Sequence, residues 1–86
     1  MIFPTIHLNG TSKGELLDQL CSASSAIADA IKALENAGPN GRDYYPQGSY
    51  AMRDAQDQHA RHVNALVLVK SEIDQIAEHI DGDSHE

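Results

Sequence analysis

The sequence has little cysteine, little positive charge and no long apolar run, and each shortage argues against a class of protein. Its single cysteine, Cys21, cannot form a disulfide within the chain, and its apolar helical setting predicts a buried, reduced thiol. Thirteen acidic residues against six basic ones give a formal net charge of −7. The chain therefore lacks the basic stripe that duplex nucleic acid or an anionic membrane requires.

Two further absences bear on the location of the protein. Residues 1–6 have no basic n-region and no long apolar segment, so they are not expected to act as a signal peptide. The longest apolar run, residues 65–69, is far too short to span a bilayer. These features predict one soluble, cytoplasmic domain. A domain of 86 residues has a marginal core unless disulfides, a metal ion or oligomerisation supports it.

Helical periodicity is the main pattern that is present, and it predicts an all-α fold. Ser12 and Glu15 have the spacing of a capping box, with Thr11 as the competing cap, and Gly38 is predicted to end this helix in a left-handed conformation. Pro4 limits the first residues to an edge or isolated strand. We expect an extended segment over 1–11, a first helix over 12–37, a loop over 38–48, a second helix over 49–80 and a polar tail over 81–86.

Each predicted helix carries a seam, meaning a line of residues spaced alternately three and four apart along which it faces its partner. The linker is too short for a parallel return, so the helices are expected to form an antiparallel hairpin. The first seam is Leu17, Leu20, Ser24, Ile27, Ile31 and Leu34. The second seam is Met52, Ala55, His59, His62, Leu66, Val69, Ile73, Ile76 and Ile80.

The second helix is apolar almost all the way round from Val63 to Val69, and a helix of that kind is buried all round. In so short a chain only other subunits can bury it. We therefore expect a symmetric helical-bundle oligomer, either a dimer with four helices or a higher state. The predicted interface residues are Val63, Leu66, Val67, Val69, Ile73 and Ile76.

Catalytic chemistry has little support, because no nucleophile, base and orienting group fall into a known spacing. The chain is predicted to be no enzyme and to need no cofactor. His59 and His62, three residues apart, could share a metal ion, but we interpret them as polar seam residues that meet Ser24 and fix the register. His7, His79 and His85 are expected to be peripheral, and no metal site is predicted.

The linker gathers all three tyrosines and two arginines within a few residues. Tyrosine rings stack on bases, arginine binds phosphate, and a helix N-terminus attracts anions. The pattern predicts a pocket for a nucleotide-like ligand, completed by a neighbouring subunit. In the alternative, the tyrosines cap the end of the bundle and Arg42 pairs with Asp43 or another acid. The candidate ligand-binding residues are Arg42, Tyr44, Tyr45, Gln47, Ser49, Tyr50 and Arg53.

Residues 6–12, IHLNGTS, and residues 40–48, NGRDYYPQG, resemble segments of small uncharacterised proteins of tailed bacteriophages and prophages. The resemblance implies a phage origin and action in the host cytoplasm. By analogy with phage counter-defence proteins, it implies sequestration of a cyclic nucleotide or ADP-ribose-like immune signal. The alternative is a protein-interaction module, either an inhibitor or adaptor of a host protein or a minor phage assembly component.

Overall fold

The computed structural model describes residues 1–82 and confirms the all-helical class. Helices α1 (Lys13–Asn36) and α3 (Ala51–Asp81) are long and pack against each other, and a short helix α2 (Gly41–Tyr44) lies between them. No strand occurs within residues 1–82, so the N-terminal segment has no regular secondary structure before the turn at residues 8–10. The predicted tail beyond Gly82, with His85, lies outside the described residues. No helix in the described range has the length and apolarity needed to cross a membrane.

The two ends of α1 are set by local hydrogen bonds. Ser12 caps the N-terminus, as predicted, because its hydroxyl oxygen accepts a hydrogen bond from the Glu15 amide at 3.2 Å. The predicted left-handed Gly38 is wrong, since Gly48 is the one glycine with positive φ within residues 1–82. Instead, the Ala37 amide donates to the carbonyls of Ala33 and Leu34, at 3.1 and 3.0 Å, which tightens the last turn.

The linker is more ordered than the predicted loop over 38–48. Besides α2 it contains a 3₁₀ turn over Tyr45–Gln47. Gly48 follows with φ of 111°, and this left-handed residue turns the chain into α3. Ser49 does not cap α3, because the helix starts at Ala51 with Tyr50 at the cap position and no side-chain capping bond.

Contacts along α1 and α3 run in opposite order through the sequence. Near the start of α1, the Lys13 ammonium donates to the carbonyl oxygen of Asp81 at 3.3 Å. In the middle, the Ser24 hydroxyl donates to Asp74. Beyond the end of α1, Gly38 lies beside the imidazole of His59. The predicted seam of the first helix is confirmed, since Ser24 is buried and the other five members are half-buried.

The predicted seam of the second helix is confirmed in part. Most members are half-buried or buried, namely Ala55, Ile76 and the five residues that recur at every seventh position. His62 and Val69 are exposed. The following residues, Val63 and Lys70, take the covered positions. The hydrogen bond from Ser24 of α1 to Asp74 favours this rotation of α3. The covered members at every seventh position are Met52, His59, Leu66, Ile73 and Ile80.

Little of the apolar surface is buried within the chain. Within residues 1–82, Ile80 is the sole hydrophobic side chain that is fully buried. The ring of Phe3 stacks on His79 at 4.4 Å between centroids, which places the N-terminal segment against the last turns of α3. His79 is exposed, in agreement with the prediction that it is peripheral, and it serves as the contact for Phe3. The radius of gyration is 18.8 Å, against about 12 Å for a compact domain of this length.

Candidate functional site

The linker places Arg42 beside its own cap residue. The side-chain oxygen of Asn40 accepts hydrogen bonds from the Arg42 amide at 3.0 Å and from Arg42 Nε at 3.4 Å. No ion pair joins Arg42 to Asp43 or to any other acid within residues 1–82. Two of the guanidinium's nitrogens, which make no contact with Asn40, keep their donors for another acceptor.

The three tyrosines do not converge in a single chain. Tyr44 is half-buried, whereas Tyr45 is 79% exposed and Tyr50 is 70% exposed. Gln47 and Ser49 are exposed as well. The structure therefore does not assemble the predicted ligand residues into one pocket. It presents most of them to solvent at the end of the molecule where the linker lies.

Tyr44 does line a cavity, but with different neighbours. The cavity has a volume of about 180 Å³. Pockets for drug-sized ligands have volumes of roughly 300–1,000 Å³, so one chain holds too little space for a nucleotide. Tyr44 is the one predicted ligand residue that lines it. The sequence alone did not connect this tyrosine with His59 and His62, which line the same cavity. The remaining lining residues are Ala37, Pro39, Ala55, Gln58, His59 and His62.

The histidine pair thus has a different setting from the predicted one. His59 is half-buried beside Gly38, and neither histidine meets Ser24, which binds Asp74 instead. The predicted contact of the pair with Ser24 is therefore wrong, and a role of the two histidines in setting the register stays a prediction. Among residues 1–82, no group of three or more His, Cys, Asp or Glu side chains is placed to hold a metal ion.

Arg53 lies on the first turns of α3 and is exposed. It has no ion pair with any acid in the described part of the chain. The amides that open α3 receive no side-chain capping bond. A cation and uncapped amides at a helix N-terminus both favour binding of an anion. The attraction of an anion, which the sequence predicted here, is therefore compatible with the structure.

A larger open groove, of about 730 Å³, runs between α1 and α3 on one side. Cys21 lines it and is exposed, so the predicted burial of its thiol is wrong. The reason is geometric: Cys21 follows the seam residue Leu20, and one helical step of about 100° turns it out of the seam. The groove residues are Leu17, Cys21, Val67, Lys70, Ser71, Asp74, Gln75, Ala77, Glu78 and Asp81.

The groove is bordered by the main polar contact between the two long helices. Lys70 Nζ lies 2.9 Å from Asp74 Oδ2, and the Ser24 hydroxyl donates to Oδ1. The Lys70 hydrogen bond, then the Ser24 hydrogen bond, hold the pKa of the Asp74 carboxyl below its ordinary value of 3.8. Both of these hydrogen bonds come from the helix pair itself, so the arrangement contributes to the packing of α1 against α3.

The predicted oligomer-interface residues fall into two groups. Val63, Leu66, Ile73 and Ile76 are half-buried. Val67 and Val69, together with Leu68, expose between 47% and 59% of their surface.

Comparison with known proteins adds no further assignment, because no protein-family model, curated protein or solved structure matches the chain.

Proposed function

We propose that this chain is a non-enzymatic interaction module that works as a symmetric helical-bundle oligomer. Its building unit is an antiparallel hairpin of α1 and α3, supported by the Lys13–Asp81 and Ser24–Asp74 contacts. One observation carries the proposal: Ile80 is the sole fully buried hydrophobic residue within residues 1–82, while three consecutive apolar residues of α3 are about half exposed.

The exposed area supports association quantitatively. The chain exposes 6447 Å². A compact folded protein of 9.3 kDa exposes about 5,000 Å², so the excess is about 1,500 Å². A stable interface removes about 800 Å² from each partner. The excess is therefore large enough for a subunit interface.

As a module of this kind, the oligomer would present its acidic helix surfaces to a protein partner. The net charge of −7 favours a partner with a basic surface, because charge complementarity steers association. Such a protein would act in the host cytoplasm as an inhibitor or adaptor of a host protein, or as a minor component of phage assembly.

Light scattering coupled to size exclusion tests the core of the proposal on the full chain at 10 to 200 µM. We expect a dimer or a larger closed oligomer whose helix content by circular dichroism falls on dilution. A helical monomer across that range would refute it. Affinity capture from host lysate then asks whether one protein is retained in stoichiometric amount.

A second function, sequestration of a nucleotide-type immune signal, is favoured by the exposure of Tyr45 and Tyr50 beside Arg42 and Arg53. The two arginines have no acidic partner within residues 1–82. Stacking of a base on a tyrosine and binding of phosphate by an arginine would hold a cyclic nucleotide or an ADP-ribose derivative. Because one chain forms no pocket of that size, neighbouring subunits would have to complete it.

Thermal shift and calorimetry with cyclic di- and trinucleotides and ADP-ribose derivatives test this function. We expect a ligand that stabilises the native chain, loses its effect with Tyr45→Ala and keeps it with Tyr45→Phe. The phenylalanine variant is the matched control, since it retains the stacking ring. Absence of a shift for every ligand well above micromolar concentration would exclude the function.

A further inference from the structure

The two sides of the α1–α3 pair differ in chemistry. On one side lies the groove, to which α1 contributes Cys21 and α3 contributes Val67. At about 100° per residue, Ala23 lies on the opposite side of the α1 seam from Cys21, and Val69 lies on the opposite side of the α3 seam from Val67. The side away from the groove, here called the alanine flank, consists of Leu16, Ala23, Ala30, Ala65, Val69 and Ile76.

The α1 half of the alanine flank carries no charge. Its line of residues alternates four and three apart and shares Leu20, Ile27 and Leu34 with the seam that faces α3. The charged residues of α1 all lie outside this arc of about 100°, although 22% of the sequence is charged. A helix with two adjacent seams is suited to contact two neighbouring helices at once. The line is Leu16, Leu20, Ala23, Ile27, Ala30 and Leu34.

The α3 half continues the same character. Ala65 and Val69 are exposed there, and Ile76 is half-buried, with Glu72 at the edge of the flank. The same line of α3 reaches His62, which is exposed and lines the Tyr44 cavity. Both helices therefore offer small or apolar side chains on one side of the pair.

We propose that the alanine flank is covered by a second copy of this chain, which builds a four-helix bundle. This inference rests on the proposed self-association and identifies the surface that performs it. Two chains of net charge −7 repel each other, so they associate most readily through a surface with few carboxylates, and this flank has Glu72 only at its edge. The alanines let helix axes approach to about 8 Å, the close end of the usual range.

The same flank is suited to pair with itself. A two-fold axis places one patch against its own copy, and the α1 half of the flank, which carries no charge, meets no like charge there. The area in excess of a compact monomer, about 1,500 Å², exceeds the roughly 800 Å² that a stable dimer removes from each subunit. The chain as a whole therefore has enough surplus exposed area for a second copy to cover this flank.

Thiol protection tests the assignment in the full chain with Cys21→Ser as background. Ala30 lies on the alanine flank, and Ser22 lies on the side of α1 that faces away from both seams; both are exposed in the single chain. Ala30→Cys should react with a maleimide at least ten-fold more slowly than Ser22→Cys at concentrations where the chain is oligomeric. The two rates should converge on dilution to the monomer.

A second pair of variants gives an independent readout. Ala30→Arg should shift the chain to the monomer in light scattering, and Ser22→Arg should not. If the chain is oligomeric but the two thiols react equally, the flank is wrong while self-association stands. If the parent chain is a monomer at every concentration, both proposals fail. Should Ala30→Arg unfold, the thiol rates alone decide.

Discussion

Ser24 of α1 donates a hydrogen bond to Asp74 of α3, and the same carboxylate binds Lys70 through its other oxygen. Ser24 is the buried polar residue of the helix pair, and it faces one point on α3. A shift of either helix by one turn would separate this pair and leave a buried hydroxyl without its partner. The contact therefore fixes which residues of the two helices face each other, a role that buried polar groups have in coiled coils.

The first prediction concerns the pH dependence of stability. Because the pKa of Asp74 is depressed in the folded chain by Lys70 and then Ser24, ionised Asp74 stabilises the fold above about pH 3.8. This contribution is lost as the pH falls through the folded-state pKa. We expect the difference between parent and Asp74→Asn urea midpoints to be constant near neutral pH and to shrink below pH 4. A difference that grows on acidification would contradict the structure.

The second prediction concerns Ile80, which is fully buried near the C-terminal end of α3. Ile80→Ala removes buried methyl groups and leaves a cavity, so it should lower the free energy of unfolding by about 2–5 kcal/mol. Ile2→Ala deletes the same atoms from an exposed side chain and should change it by less than about 0.5 kcal/mol. Chemical denaturation of both variants at one protein concentration measures the contrast. Equal effects would place the core elsewhere.

The helix boundaries and the seam of α1 could be predicted because their causes are local. The Ser12 cap needs one hydroxyl at a fixed spacing, and the leucines and isoleucines of α1 all lie on one side of the helix. The seam of α3 was ambiguous because apolar residues surround that helix between Val63 and Val69. Its rotation depends on Asp74 reaching Ser24, a contact across fifty residues that periodicity does not contain.

The candidate site was predictable in composition but not in geometry. Tyrosines and arginines do gather in the linker, yet their exposure follows from α2 and the left-handed Gly48, which set the path of the chain. The tyrosine–histidine cavity was missed because its lining comes from the linker and α3 together. Tyr44 and His59 are far apart in the sequence, and only the fold shows that they line the same cavity.

The third prediction uses a pair of linker glycines. Gly48 has φ of 111° and ψ of 170°, a region open almost only to glycine that costs another residue about 1–3 kcal/mol, so Gly48→Ala should destabilise the fold by that amount. Gly41 opens α2 with a negative φ, and a Cβ there would meet no atom within 4 Å. Gly41→Ala should therefore be neutral or stabilise by up to about 1 kcal/mol. Thermal melts of the two variants provide the comparison, and a more stable Gly48→Ala would contradict this path of the linker.

The fourth prediction concerns the stack of Phe3 on His79, whose ring centroids lie 4.4 Å apart with 22° between planes. A stacked aromatic pair contributes about 0.5–1.5 kcal/mol beyond its buried area, so a double-mutant cycle of Phe3→Ala and His79→Ala should give coupling of that size. Phe3→Ala combined with His62→Ala is the matched control, because His62 lines the cavity at the other end of the molecule. That pair should be additive within about 0.5 kcal/mol. Additivity in both cycles would mean that the N-terminal segment does not dock on α3 in solution.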